Sequence, residues 1–183
     1  MTPVPKRDPA PGPLATVQAF VNTVDLEDGP ELLPDAEALR TWLAGAALLD
    51  GDTAVGAAEH ARAIALREAL RDVLSGDDAA VERVNETGER AGLRPVLRRD
   101  GGSALEPAAG GVDGALGRLV AIVHGAVADG TWAHLKACER DRCREAFYDH
   151  SKNHSGRWCD MDVCGAKEKS ARAYRRRRAR QGS

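Results

Sequence analysis

Large aromatic side chains are scarce in this 183-residue chain, which has two Phe, two Tyr and three Trp. With Ala and Gly abundant, an Ala-packed helical interior is expected rather than a β-sandwich. No apolar run approaches the roughly 20 residues that a membrane-spanning helix needs. The opening Met1-Thr-Pro-Val-Pro-Lys-Arg-Asp-Pro9 lacks the apolar stretch of a signal peptide. A cytoplasmic protein with no membrane partner is therefore expected, in a compartment that keeps thiols reduced. No nucleophile–base motif, Gly-rich phosphate loop or paired-carboxylate motif stands out, so an enzyme is not expected. Internal repeats and heptads are absent too. Cysteine is confined to four residues, all beyond position 137.

The net charge of −2 conceals a division. Residues 131–183 carry 14 Lys and Arg against 7 Asp and Glu, whereas residues 1–130 carry 12 against 21. A basic end on an acidic body implies a segment that meets a polyanion. A solubilising tail is the plainer alternative.

Local patterns divide the chain. Residues 1–13 hold five prolines and read as a disordered leader. Residues 14–131 read as a mostly helical sensing or oligomerisation domain. Leu14 to Val24 has helical spacing, with a strand as the alternative for Ala19 to Val24. Asp35 is a candidate N-cap for Ala36 to Ala47. Thr53 is the expected cap of a long helix whose apolar face is Ala57, Ala61, Ile64, Ala65, Glu68, Leu70, Val73 and Leu74. A further helix stops at Gly92. Asp100-Gly101-Gly102 between short apolar runs predicts a β-hairpin over Leu93 to Glu106. Pro107 to Gly114 reads as a flexible loop, Leu116 to Val127 as a core helix, and Trp132 to Ala137 as a short helix. His60 and His124 lack partners at metal-binding spacing and read as ordinary helical histidines. Asn22, Thr23 and Asp25 beside an apolar stripe are either a helix end with local caps or the lining of a small-molecule pocket.

Residues 132–183 carry the strongest chemical signal. Cys138 and Cys143 enclose four residues, fifteen more follow, and Cys159 and Cys164 enclose another four. Two such pairs can converge on one tetrahedral zinc ion with sulfurs about 2.3 Å from the metal. An iron–sulfur cluster or a redox pair is an alternative use of the same residues. His150 and His154 lie inside the loop, but four cysteines already fill the shell; His134 lies farther out. Glu145 to Tyr148 reads as a strand, with Arg157-Trp158 as the start of its partner. From Ala166 a run without Gly or Pro to position 181 predicts a cationic helix launched from the last ligand. The fold class expected is mainly α with a small β-hairpin. A helical N-terminal domain would be followed by a treble-clef-like, four-cysteine finger that ends in a basic helix.

Cys138-x4-Cys143, Phe147-Tyr-Asp-His-Ser-Lys-Asn153, Arg157-Trp-Cys-Asp-Met-Asp-Val-Cys-Gly165 and the basic helix together resemble the CGNR zinc finger. Phe20-Val-Asn-Thr-Val-Asp25, Leu66-Arg-Glu-Ala-Leu70 and the hairpin near Leu93 to Leu105 resemble the ABATE domain that usually precedes it. The resemblance implies a stress-induced bacterial transcription regulator whose finger binds zinc and DNA. One departure is evident: where the family has Cys-Gly-Asn-Arg, this chain has Cys164-Gly165-Ala166-Lys167. The ligand and the glycine remain, the Asn amide is lost, and Lys keeps the charge without the bidentate fork.

These readings converge on a zinc-dependent DNA-binding regulator. Arg157, Lys167, Lys169, Arg172, Arg175, Arg176, Arg177 and Arg178 are the expected DNA contacts. A homodimer reading paired half-sites and a small-molecule effector are further expectations. An RNA-binding module, with Tyr148, Trp158 and Tyr174 as stacking surfaces, is one rival. An adaptor docking on an acidic protein of the transcription machinery is another.

Overall fold

The computed structural model describes residues 8–27 and 29–181, with the side chains of residues 179–181 set aside. Helices α1 (Leu14–Val21), α2 (Ala36–Gly45), α3 (Ala57–Leu74) and α4 (Ala80–Ala91) come first. An antiparallel hairpin follows, β1 (Leu93–Leu97) and β2 (Ser103–Pro107), with Pro95 opposite Leu105. The central helix α5 (Gly111–Asp129) leads into a 3-10 turn (Thr131–His134) and a second hairpin, β3 (Leu135–Ala137) with β4 (Ala146–Tyr148). A π-helical turn (Met161–Gly165) runs directly into α6 (Ala166–Gln181).

Several elements start and stop for local reasons. The Asp35 carboxylate accepts the Ala38 amide 2.9 Å away and opens α2. Gly92 closes α4 in the left-handed region at φ 60°, where glycine carries no Cβ penalty. The start of α3 differs from expectation. Gly56, not Thr53, is its N-cap, and the Glu59 carboxylate accepts the Gly56 amide. The expected loop over Pro107 to Gly114 is shorter, because α5 begins at Gly111.

The core forms around α5, with α1, α3, α4 and β2 packed on it. Val17, Phe20, Leu66, Leu70, Leu116 and Leu119 are buried there. Gly117 lets α4 and β2 approach, since a Cβ at that position would lie 2.4 Å from the Ala91 Cβ. By length and composition α5 is apolar enough to cross a membrane, which the residue runs had not singled out. Its core-facing side, with Leu116, Leu119 and Ala126, accounts for part of that apolarity.

The buried face of α3 is also rotated from the expected one. It consists of Ala63, Leu66, Arg67, Ala69, Leu70 and Arg71. Of the leader expected over residues 1–13, residues 1–7 lie outside the described residues, and Ala10 is buried. The Ala10 amide donates to the Gln18 side chain at 2.7 Å.

Candidate metal centre and cationic helix

The short helix expected over Trp132 to Ala137 is a 3-10 turn at Thr131–His134 followed by strand β3, which delivers the chain to Cys138. Strand β3 pairs with β4, whose expected partner had been Arg157-Trp158. The latter segment meets β3 only beyond its end, where the Glu139 amide donates to the Arg157 carbonyl at 3.0 Å. The first cysteine pair sits on a tight turn, closed by the Cys143 and Arg144 amides donating to the Arg140 carbonyl. In the second pair the Asp160 carboxylate accepts the Asp162 and Val163 amides, at 2.8 and 2.9 Å. The Asp160 carbonyl accepts the amides of Cys164 and Gly165. That turn sets Cys164 at the head of α6. Gly165 has no room for a side chain, since a Cβ there would be 2.8 Å from the Met161 sulfur.

All four sulfurs are buried and lie within 4.8 Å of one another. The pairs Cys143–Cys159 and Cys159–Cys164 are each 3.6 Å apart. Tetrahedral zinc about 2.3 Å from each sulfur puts neighbouring sulfurs about 3.8 Å apart, so the set fits one ion. A disulfide of about 2 Å is far shorter, and a multi-iron cluster needs more room between its ligands. The sulfurs cannot all ionise unaided. Contacts with Cys143 and Cys159 hold the Cys138 thiol down, while contact with Cys138 pushes the Cys143 and Cys159 thiols up. A divalent cation relieves that conflict by stabilising every thiolate.

Two family models match. Residues 14–135 match ABATE, described as "Putative stress-induced transcription regulator". Residues 134–178 match the CGNR zinc finger. The chain belongs to the ABATE family and carries a CGNR zinc finger. Its cofactor is one zinc ion, which the close set of Cys138, Cys143, Cys159 and Cys164 could hold. Both families are of regulatory or zinc-finger type, not enzymatic. A search of curated proteins found no match.

The CGNR finger is docked tightly on the ABATE part. Asn22 grips the Ala146 backbone twice: its amide nitrogen donates to the carbonyl and its oxygen accepts the amide, both at 2.8 Å. Thr23 donates to the Phe20 carbonyl, and Asp25 accepts the Glu27 amide. The polar groups of this trio are thus engaged in docking and local capping. Fully buried Arg71 donates to the carbonyls of Val21 (2.6 Å) and Arg144 (3.3 Å), joining the two parts. Arg144 is held in the left-handed region at φ 49°, with its guanidinium on Asp72 and Ser75. Composition gave no hint of these bolts. An arginine pair four residues apart beside Leu66 and Leu70 was the one available signal.

Glu27 links ABATE to the head of α6. It pairs with Arg140 on the first cysteine turn and with Lys167 at 2.8 Å. Hydrogen bonds from Arg140 and then Lys167 pull its carboxyl down to about 2. Arg140 also lies against the Cys164 sulfur. Buried Asp149 braces the loop between the cysteine pairs by accepting from Lys136, Ser151 and Gly156. Burial alone would raise its pKa, but those bonds hold it well below the usual carboxylate range.

The eight expected DNA-contact residues fall into two sets. Arg157 pairs with Glu139, Lys167 with Glu27, and Arg172 and Arg175 share Glu168. Lys169, Arg176, Arg177 and Arg178 are exposed and make no ion pair with the described residues. Of the three aromatics expected as stacking surfaces, Tyr148 is buried in the core. Trp158 is half-buried under the Arg157 guanidinium, 5.4 Å from its ring, so Tyr174 alone is well exposed.

Proposed function

We propose that this protein is a cytoplasmic, zinc-dependent DNA-binding transcription regulator in which the metal centre aims α6 at a duplex. One observation carries the reading. The helix launched from the ligand Cys164 presents Lys169, Arg176, Arg177 and Arg178 to solvent, with no acid among the described residues to neutralise them. Lys167, Arg172, Arg175 and Arg157 join them when phosphates displace Glu27, Glu168 and Glu139. Exposed ion pairs of this kind hold little energy, so phosphates compete well. The acidic ABATE part repels the duplex and favours approach by α6 alone. The burial of Tyr148 and half-burial of Trp158 favour a duplex over single-stranded RNA, which needs open stacking faces.

The test is a duplex-DNA titration at several salt concentrations. Six or more phosphate contacts predict a log–log slope near −5, and affinity falling roughly a thousandfold between 50 and 200 mM salt. Replacing Arg175 to Arg178 by Ala should flatten that slope by about 3 to 4. A flat salt dependence, or unchanged binding by the replaced protein, contradicts the proposal.

A further inference from the structure

A cleft of about 740 Å³ opens between α3, α4 and α5, away from the cysteines. That volume lies in the range of small-molecule sites. Its apolar wall has a simple origin. Leu116, Leu119 and Ala126 of α5 point into the core, while Val120, Val123 and Val127 form a second stripe that lines the cleft. Val127 is 58% exposed and Val81, across from it on α4, is 42% exposed. Apolar side chains left in water around a concave surface mark a binding site more often than a solvated face.

Carboxylates are the formally charged groups at the cleft, beside Asn85 and His124. Glu82 and Glu89 of α4 line the cleft, and their carboxylates make no ion pair or hydrogen bond with the described residues. Most other body glutamates near an arginine do pair: Glu31 with Arg67, Glu37 with Arg40, Glu59 with Arg62. Arg83, the cation beside Glu82, is turned away onto Asp72 at 2.7 Å. Trp132 contributes an aromatic ring, a surface that attracts organic cations. His124, the remaining titratable lining group, is exposed.

We propose that this cleft binds a lipophilic organic cation, an amine or quaternary ammonium on an apolar body. The valine stripe takes the apolar body, and Glu82, Glu89 and Trp132 take the cationic group. The same stretch of α3 that supplies Leu70 and Val73 to the cleft supplies Arg71, Asp72 and Ser75 to the finger. An occupant therefore sits within one helical turn of the finger's dock. The site is independent of the reading of α6 as a DNA element, and its test uses no DNA.

The zinc-loaded full chain is titrated calorimetrically with decyltrimethylammonium below its micelle concentration, beside decyl sulfate and 1-decanol. Saturable binding of the ammonium is expected, with the sulfate at least about tenfold weaker. Glu82→Gln with Glu89→Gln should weaken the ammonium about tenfold and leave the alcohol unchanged. Val127→Trp, at an exposed position that tolerates bulk, should narrow the mouth and remove both. Circular dichroism and zinc content confirm that each variant is folded. The proposal is overturned if none of the three probes binds saturably or if sulfate binds as tightly as ammonium. Binding that survives the paired Gln change undiminished overturns it as well.

Discussion

The ABATE body and the cysteine finger differ in what fills their interiors. The body packs Val17, Phe20, Leu39, Leu43, Leu66, Leu70, Leu116 and Leu119 into one cluster around α5. The finger encloses four cysteines and Phe147, with Trp158 against them. Apolar burial at roughly 25 cal/mol per Å² can hold the body alone. A lobe with so few apolar side chains draws its stability from metal–thiolate bonds and from its dock. The boundary between them is not clean, because Leu135, Ala146 and Tyr148 of the second hairpin belong to the body's cluster. Metal thus governs the cysteine turns and α6, while packing governs β3 and β4.

The largest effect follows from removing a ligand. Cys159→Ser should abolish stoichiometric zinc binding, a loss on the order of 10 kcal/mol of binding free energy. Metal analysis and circular dichroism should show the zinc gone but the body's helices retained. Collapse of the body as well would break the division drawn above.

Arg71→Met comes next. It leaves the Val21 and Arg144 carbonyls without their donor, at a fully buried position. A cost of about 3 kcal/mol or more is expected, read as a lower urea midpoint. Asn22→Ala removes both hydrogen bonds to Ala146 and should cost about 1–3 kcal/mol. Its signature is local: the Ala146 amide should exchange faster with solvent while the α3 and α5 amides stay protected.

The smallest effect concerns Glu27. Glu27→Gln should hardly move stability but should release Lys167 and Arg140, raising affinity for duplex DNA by a few-fold. Its pH dependence has a definite sign. A carboxyl lowered from 4.5 to about 2 contributes stability above pH 4.5 and loses it as pH falls towards 2. The small stability gap between wild type and variant should therefore stay constant from pH 8 to 5 and close only below that range.

What the residues reveal in advance follows from the range of the interactions. Asp35 as a cap, Gly92 as a stop, and Asp100-Gly101-Gly102 as a hairpin turn all act within a few residues, so local pattern suffices. The cysteine set was legible for the same reason, since ligand type and short spacing define it. The partner of Glu145 to Tyr148 was not. The nearer candidate, Arg157-Trp158, follows the turn residues, whereas the true partner precedes the first cysteine. Hydrophobic pattern also misplaced the face of α3, because Arg67 and Arg71 read as polar although both are buried on carbonyls and carboxylates. Nothing near Asn22 in sequence foretells Ala146, 124 residues away.

Hydrogen exchange of the full chain with and without a strong zinc chelator tests the division most directly. Chelation should strip protection from residues 138–145 and 157–178, leave α1, α3 and α5 unchanged, and reduce β3 and β4 only in part. Protection lost evenly across the chain, or not lost at α6, would contradict the account.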